Sequence, residues 1–160
     1  PPLAPWLALA LIVCVLDQLT KLAASAYLEY AIPHGVMPSF NLTLLHNTGA
    51  AFSMLHDAAG WQRWFFSAIA LVVTGGLCWW LTRMDRRDRF EVCALVFILG
   101  GAVGNLIDRV RLGYVVDFIQ VYYGQYSFPA FNIADAAISV GAAMLLLRSA
   151  GVGVPRPARD

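Results

Sequence analysis

GGAVGNLIDRVRLGYVVDFIQVYYGQYSFPAFNIAD, residues 100–135, decides how the rest of the chain is read. Three carboxylates (Asp108, Asp117, Asp135), two asparagines (Asn105, Asn132) and two arginines (Arg109, Arg111) stand where apolar runs end or begin. An ionisable side chain at the centre of a bilayer costs about 2.5–3.5 kcal/mol on insertion scales, so groups of this kind inside apolar segments are functional candidates. Capping and mutual pairing explain one such Asp easily. They explain three, with two asparagines beside them, much less well.

Composition places the chain in the membrane class. Hydrophobic residues make up 59% of the 160 residues and charged residues 13%, with a mean hydropathy of +0.65. Soluble domains carry roughly 25% charged residues. A span takes about 20 residues, and the apolar runs predict four, over about 3–27, 61–81, 90–110 and 131–147. The net charge of +1 and the lack of a basic patch argue against a nucleic-acid partner. Cys14, Cys78 and Cys93 lie in apolar runs without paired spacing and read as small buried side chains. His34, His46 and His56 show no metal-ligand spacing.

Working outward, the first span carries Asp17, Thr20 and Lys21 on one face, at i, i+3 and i+4. Asp17 and the chain's only lysine, Lys21, can neutralise each other inside a bundle. Ala24-Ser25-Ala26 imitates a signal-peptidase site, but no basic region precedes the run and charges interrupt it, so the helix reads as retained. Residues 30–60 break the helical period, with a short strand expected at Phe40–Leu44 and a polar, small segment at His46-Asn47-Thr48-Gly49-Ala50-Ala51-Phe52. Trp61 and Trp64 at one end of the second span, and Trp79 and Trp80 at the other, form the belts expected at two interfaces. Four arginines follow at 83, 86, 87 and 89. With Arg148, Arg156 and Arg159 they predict cytoplasmic termini, placing 30–60 and 111–130 outside.

In the third span Gly101, Asn105 and Asp108 fall at i, i+4 and i+7, one polar stripe, beside a small-residue stripe of Gly100 and Gly104 that permits close helix packing. In the fourth, Asn132, Asp135 and Ser139 do the same, with Asp135 about one turn in. Asp108 is followed at once by Arg109 and then Arg111, and reads as their structural partner. Asp117 has only apolar neighbours, which disfavour its ionised form. Asp117 and Asp135 are therefore the better pair to share a proton, one as acid and one as base toward water, which is metal-free aspartic peptidase chemistry. A proton-coupled transporter also uses paired intramembrane carboxylates, but usually with an internal repeat. Here GNLIDR and FNIAD share only an Asn-x-x-Asp spacing. A structural scaffold would leave the clustered carboxylates unexplained.

Asp17-Gln18-Leu19-Thr20-Lys21, Asn47 to Phe52, Gly100 to Arg109, Val115-Val116-Asp117-Phe118 and Phe131 to Asp135, in this order, resemble the bacterial lipoprotein signal peptidases (signal peptidase II) along nearly the whole chain. The resemblance implies a single peptidase domain: a four-transmembrane-helix bundle with a small extracytoplasmic β-rich platform. It implies cleavage of prolipoproteins before a diacylglyceryl-modified cysteine at the outer face of the bacterial cytoplasmic (inner) membrane. Asp117 and Asp135 match the family's catalytic positions. Asn47, Gly101, Asn105, Asp108, Arg109 and Asn132 match supporting or substrate-contacting ones, and Asp17 and Lys21 a structural polar pair. Its implied partners are the prolipoprotein, membrane lipid and globomycin-type cyclic peptide inhibitors. No cofactor or metal is implied, and the chain reads as a monomer.

Overall fold

The computed structural model describes residues 2–49, 61–85 and 87–151. Among these residues four helices and four strands follow in the order α1 (Ala4–Tyr27), β1 (His34–Met37), β2 (Phe40–Asn47), α2 (Trp61–Arg83), α3 (Arg89–Leu112), β3 (Val115–Tyr123), β4 (Tyr126–Ser127) and α4 (Ile133–Ser149). Among the described residues three helices, α1, α2 and α3, are long and apolar enough to cross a membrane, with mean hydropathies of 1.9, 1.7 and 2.0. The fourth, α4, has 17 residues. At 1.5 Å per residue it spans about 26 Å against a hydrocarbon core of about 30 Å.

Local chemistry sets the helix ends. Asp88 caps α3 by accepting the Glu91 N–H, and Gly113, at φ +85°, closes it by donating its own N–H to the Arg109 carbonyl. That left-handed turn suits glycine, which has no Cβ to clash, and it sends the chain straight into β3. Asn132 caps α4 in a reciprocal box: its side chain accepts the Asp135 N–H while the Asp135 carboxylate accepts the Asn132 N–H.

Helix α3 packs against each of the other three helices, and small residues let it come close. A Cβ on Gly100 would collide with the Ala10 carbonyl of α1, one on Gly101 with the Ala134 carbonyl of α4, and one on Gly104 with the Asp17 carboxylate. From α4, Gly141 meets the Ala94 carbonyl of α3 in the same way. Gly101 thus serves helix contact, not the polar stripe that its spacing predicts. Toward the Asp88 end, Ala10, Leu77, Leu81, Val92, Leu95, Val96 and Leu99 form one apolar cluster. A second, of Ala24, Leu44, Val116 and Phe118, joins α1 to the sheet. The outward faces remain apolar: Leu11, Leu19, Leu71, Val72, Trp64, Trp79 and Leu146 are exposed, as lipid-facing side chains are. Cys14 is buried, but Cys78 lies on that exposed surface, contrary to the reading of all three cysteines as buried.

The sheet is antiparallel in the order β1-β2-β3-β4. Strand β2 runs to Asn47, beyond the Leu44 expected from alternation, with an irregularity between Leu42 and Leu45. His34 and His46 stand on two different strands; His56 lies outside the described residues. Leu45 pairs with Asp117 and Asn47 with Val115. Phe131 bridges Ile119 just before the α4 cap, with the Ile119 N–H and the Phe131 N–H each donating to the other's carbonyl at 2.9 and 3.0 Å. This bridge ties the start of α4 to β3.

Candidate active site

A buried ionic cluster lies between the two apolar clusters. The Lys21 ammonium is 2.8 Å from Asp17 Oδ2 and 2.9 Å from Asp108 Oδ2, and it donates to Asn105 Oδ1 at 2.9 Å. The i, i+4 pair predicted within α1 is present, but Lys21 is shared with Asp108. Asp17 Oδ1 accepts the Ala134 N–H at 2.9 Å, at the start of α4. Asp108 Oδ2 accepts the Val116 N–H of β3 at 3.1 Å. Gln18 donates to Asp108 Oδ1 at 2.9 Å and to the Gly104 carbonyl at 3.2 Å. One lysine and two carboxylates thereby lock α1, α3, the start of α4 and β3 together, with every carboxylate oxygen accepting at least one hydrogen bond or ion-pair contact, as burial of charge requires.

This corrects the expected pairing of Asp108 with Arg109 and Arg111. Residues i and i+1 on a helix point in different directions, and Asp108 faces α1. The Arg109 guanidinium lies 5.8 Å from the Phe66 ring of α2, and its Nη1 reaches the Asn105 carbonyl at 3.5 Å. Gln18 was not singled out by its sequence position, although a carboxamide within an apolar span is the signal that would have found it.

Above the ionic cluster, three carboxamides hold two carboxylates. Asp117 Oδ1 accepts from Asn132 Nδ2 at 2.7 Å, and Oδ2 accepts from Asn47 Nδ2 at 3.0 Å. Asp135 Oδ1 accepts from Asn105 Nδ2 at 2.7 Å, and Oδ2 accepts the Asn132 N–H at 3.3 Å. Donor-only groups fix which way round each carboxamide stands. The Gly49 N–H takes Asn47 Oδ1 at 2.9 Å, the Asp135 N–H takes Asn132 Oδ1 at 2.9 Å, and the Lys21 ammonium takes Asn105 Oδ1. An ammonium or a backbone N–H has no lone pair to offer, so in each case the NH2 end is left facing a carboxylate. Asn132 is the N-cap and not the first face residue of α4, and Asp135 lies in the first turn, nearer the helix end than expected.

Burial pushes the Asp117 carboxyl up to about 6, and the negative charge of Asp135 adds to the shift; the Asn47 and Asn132 donors and the Lys21 charge oppose it. Asp117 is only 3% exposed, so loss of solvent is the leading cause. Beside Asn47, the His46 ring stacks on Tyr114 at 4.0 Å and tilts against Tyr30 at 4.8 Å. Among the described residues no three His, Cys, Asp or Glu side chains are grouped as metal ligands. The part of the Asn47 block from Ala50 to Phe52, and Arg86, Arg156 and Arg159, lie outside the described residues.

Apolar helices that carry a small antiparallel sheet, with two acidic side chains held where helix and strand meet, define the class: an integral, multi-pass membrane enzyme. Two solved structures share the fold, each a bacterial membrane enzyme determined by the in meso method. One, at 1.9 Å resolution, superposes with a TM-score of 0.82 at 30% identity, covering 91% of this chain and 92% of that one. The other, at 2.3 Å, gives 0.82 at 28% identity over 98% and 94%. A family model described as signal peptidase (SPase) II matches residues 9–150. The chain is 53% identical over 152 residues to a lipoprotein signal peptidase of Acinetobacter baumannii, covering 95% of this chain and 86% of that protein. It is 52% identical over 141 residues to one from Teredinibacter turnerae, over 88% and 84%. The chain belongs to the signal peptidase II family of aspartic peptidases.

Proposed function

We propose that this single-domain peptidase removes the signal peptide from diacylglyceryl-modified prolipoproteins, cutting just before the lipid-modified cysteine, with Asp117 and Asp135 as its catalytic pair. The observation that carries the assignment is Asn132, which touches both carboxylates, through Nδ2 to Asp117 and through its backbone N–H to Asp135. Asp135 accepts hydrogen bonds on both oxygens at a helix N-terminus, an arrangement that suits an anion, and is the base. Asp117 carries the shared proton and is the acid. Water attacks the scissile carbonyl carbon and gives a proton to Asp135, while the Asp117 proton passes to the carbonyl oxygen. The gem-diol intermediate then collapses: the C–N bond breaks, the nitrogen leaves with the proton held on Asp135, and one hydroxyl returns its proton to Asp117 as the new carboxyl forms. The NH2 groups of Asn47, Asn105 and Asn132 keep the pair in register, and Arg109, on the α2 side, is placed to meet substrate.

Four spans, with α4 as the short fourth, fit this reading. The arginines around 83–89 and Arg148 belong in the cytoplasm. Arg148 reaches Asp88 through Nε at 2.6 Å, so the start of α3 and the end of α4 share that side, and the sheet stands outside. A reporter fused at Asp85 of the inner-membrane protein is expected to read cytoplasmic, and one at Tyr123 external; the reverse would put the carboxylates out of reach of exported substrate. The partners on this reading are the prolipoprotein, membrane lipid and globomycin-type cyclic peptide inhibitors, met by a monomer.

The test is incubation of purified protein in detergent with a diacylglyceryl-modified prolipoprotein and excess chelator, followed by mass analysis. Expected are a free signal peptide and a product that begins at the lipidated cysteine. Loss of cleavage with chelator and its return with zinc would contradict the metal-free pair.

A further inference from the structure

The buried Lys21 ammonium has three N–H donors and three acceptors, and two of these are the Asp17 and Asp108 carboxylates. The third is Asn105 Oδ1, at 2.9 Å, which also accepts Asn132 Nδ2 at 3.3 Å. Asn105 is itself buried, at 6% exposure, and its Nδ2 donates to Asp135 Oδ1 at 2.7 Å. Turned over, the carboxamide would set its NH2 against the ammonium and the Asn132 NH2, and its oxygen against the Asp135 carboxylate. All three contacts would then repel. Without Lys21, the orientation would rest on the Asp135 contact and on the 3.3 Å contact from Asn132, and Asn132 Nδ2 has other acceptors in Asp117 Oδ1 and the Val116 carbonyl, at 2.7 and 3.2 Å.

We propose that Lys21, beyond its structural pairing with Asp17, is a positioning residue for hydrolysis: by fixing which end of the Asn105 carboxamide faces Asp135, it keeps an N–H donor on Asp135 Oδ1 and so keeps Asp135 the base. The proposal rests on the reading of Asp117 and Asp135 as the catalytic pair. It makes Lys21 act on catalysis through Asn105, where a purely structural lysine would act through the number of folded molecules.

The experiment is a double-mutant cycle on the single-turnover rate at saturating diacylglyceryl-prolipoprotein, using purified full-length protein and counting only folded molecules. Lys21→Met is expected to slow the step about 30-fold, as is Asn105→Ala, and the double variant no more than the slower single, because one path has been cut twice. Asp17→Asn disturbs the same cluster but leaves the Lys21–Asn105 contact. It is expected to lower the melting temperature while keeping the rate within about 3-fold. Where Lys21→Met alone fails to fold, Asp17→Asn/Lys21→Met, which keeps the cluster's net charge, is compared with Asp17→Asn and should show the same slowing. Rate losses that multiply in the double variant, or an Asp17→Asn rate as slow as the Lys21→Met rate, would overturn the proposal. Failure of the catalytic pair itself would look different: Asp117→Asn or Asp135→Asn would then still cleave.

Discussion

Asp117→Asn and Asp135→Asn are each expected to abolish cleavage, by about 10³-fold or more, with substrate binding retained. Asn has nearly the shape of Asp but can neither hold nor release the shared proton. The two variants should differ in stability. The Asp117 carboxyl is raised from 3.8 to about 6 in the folded protein, so the native state binds its proton more tightly than the unfolded chain does. Stability from this group is therefore full below about 3.8 and falls as pH rises to about 6, after which the cost is complete, at about 3 kcal/mol. Asn removes that cost. It also sets an NH2 against the NH2 of Asn47 or Asn132, losing about 1 kcal/mol. The melting temperature of Asp117→Asn relative to the parent should thus climb between about pH 4 and pH 7 and end above it. A difference that does not change with pH would mean that Asp117 is not raised.

The largest loss of stability is expected from Lys21→Met. It leaves Asp17 and Asp108, at 0% and 3% exposure, without their cation, and breaking a buried pair in this way costs about 3–5 kcal/mol. Asp17→Ala should cost less, about 1–3 kcal/mol, because Lys21 keeps Asp108 and Asn105 while the Ala134 N–H and one N–H of the ammonium lose their acceptor. Folded yield and melting temperature after purification measure both. Equal losses would mean that Lys21 serves Asp17 alone, as the i, i+4 spacing by itself suggests.

That comparison marks where the sequence was legible. Features set within one helix could be read directly: the apolar spans, the Asp17–Lys21 spacing and the Trp belts. The Asn-x-x-Asp of FNIAD was legible as spacing, but as a capping box it puts Asn132 before the helix and lets one residue touch both carboxylates. What could not be read was set by residues far apart in the chain. Asp108 has Arg109 beside it in sequence, yet its partner is Lys21, because helix geometry turns neighbours away from each other. Strand β3 gave no alternation to detect, since Val115, Val116, Asp117 and Phe118 are all buried. Gly101 sat in a polar stripe by period, yet its missing side chain is what lets α4 approach α3.

The most direct test of a shared proton on Asp117 and Asp135 is a carboxyl 13C NMR titration of Asp-labelled protein, with Asp117 followed in the parent and in Asp135→Asn. The account predicts that Asp117 titrates near 6 in the parent and moves down when the Asp135 charge is removed. An Asp117 resonance in the ordinary carboxylate range in both proteins would contradict it.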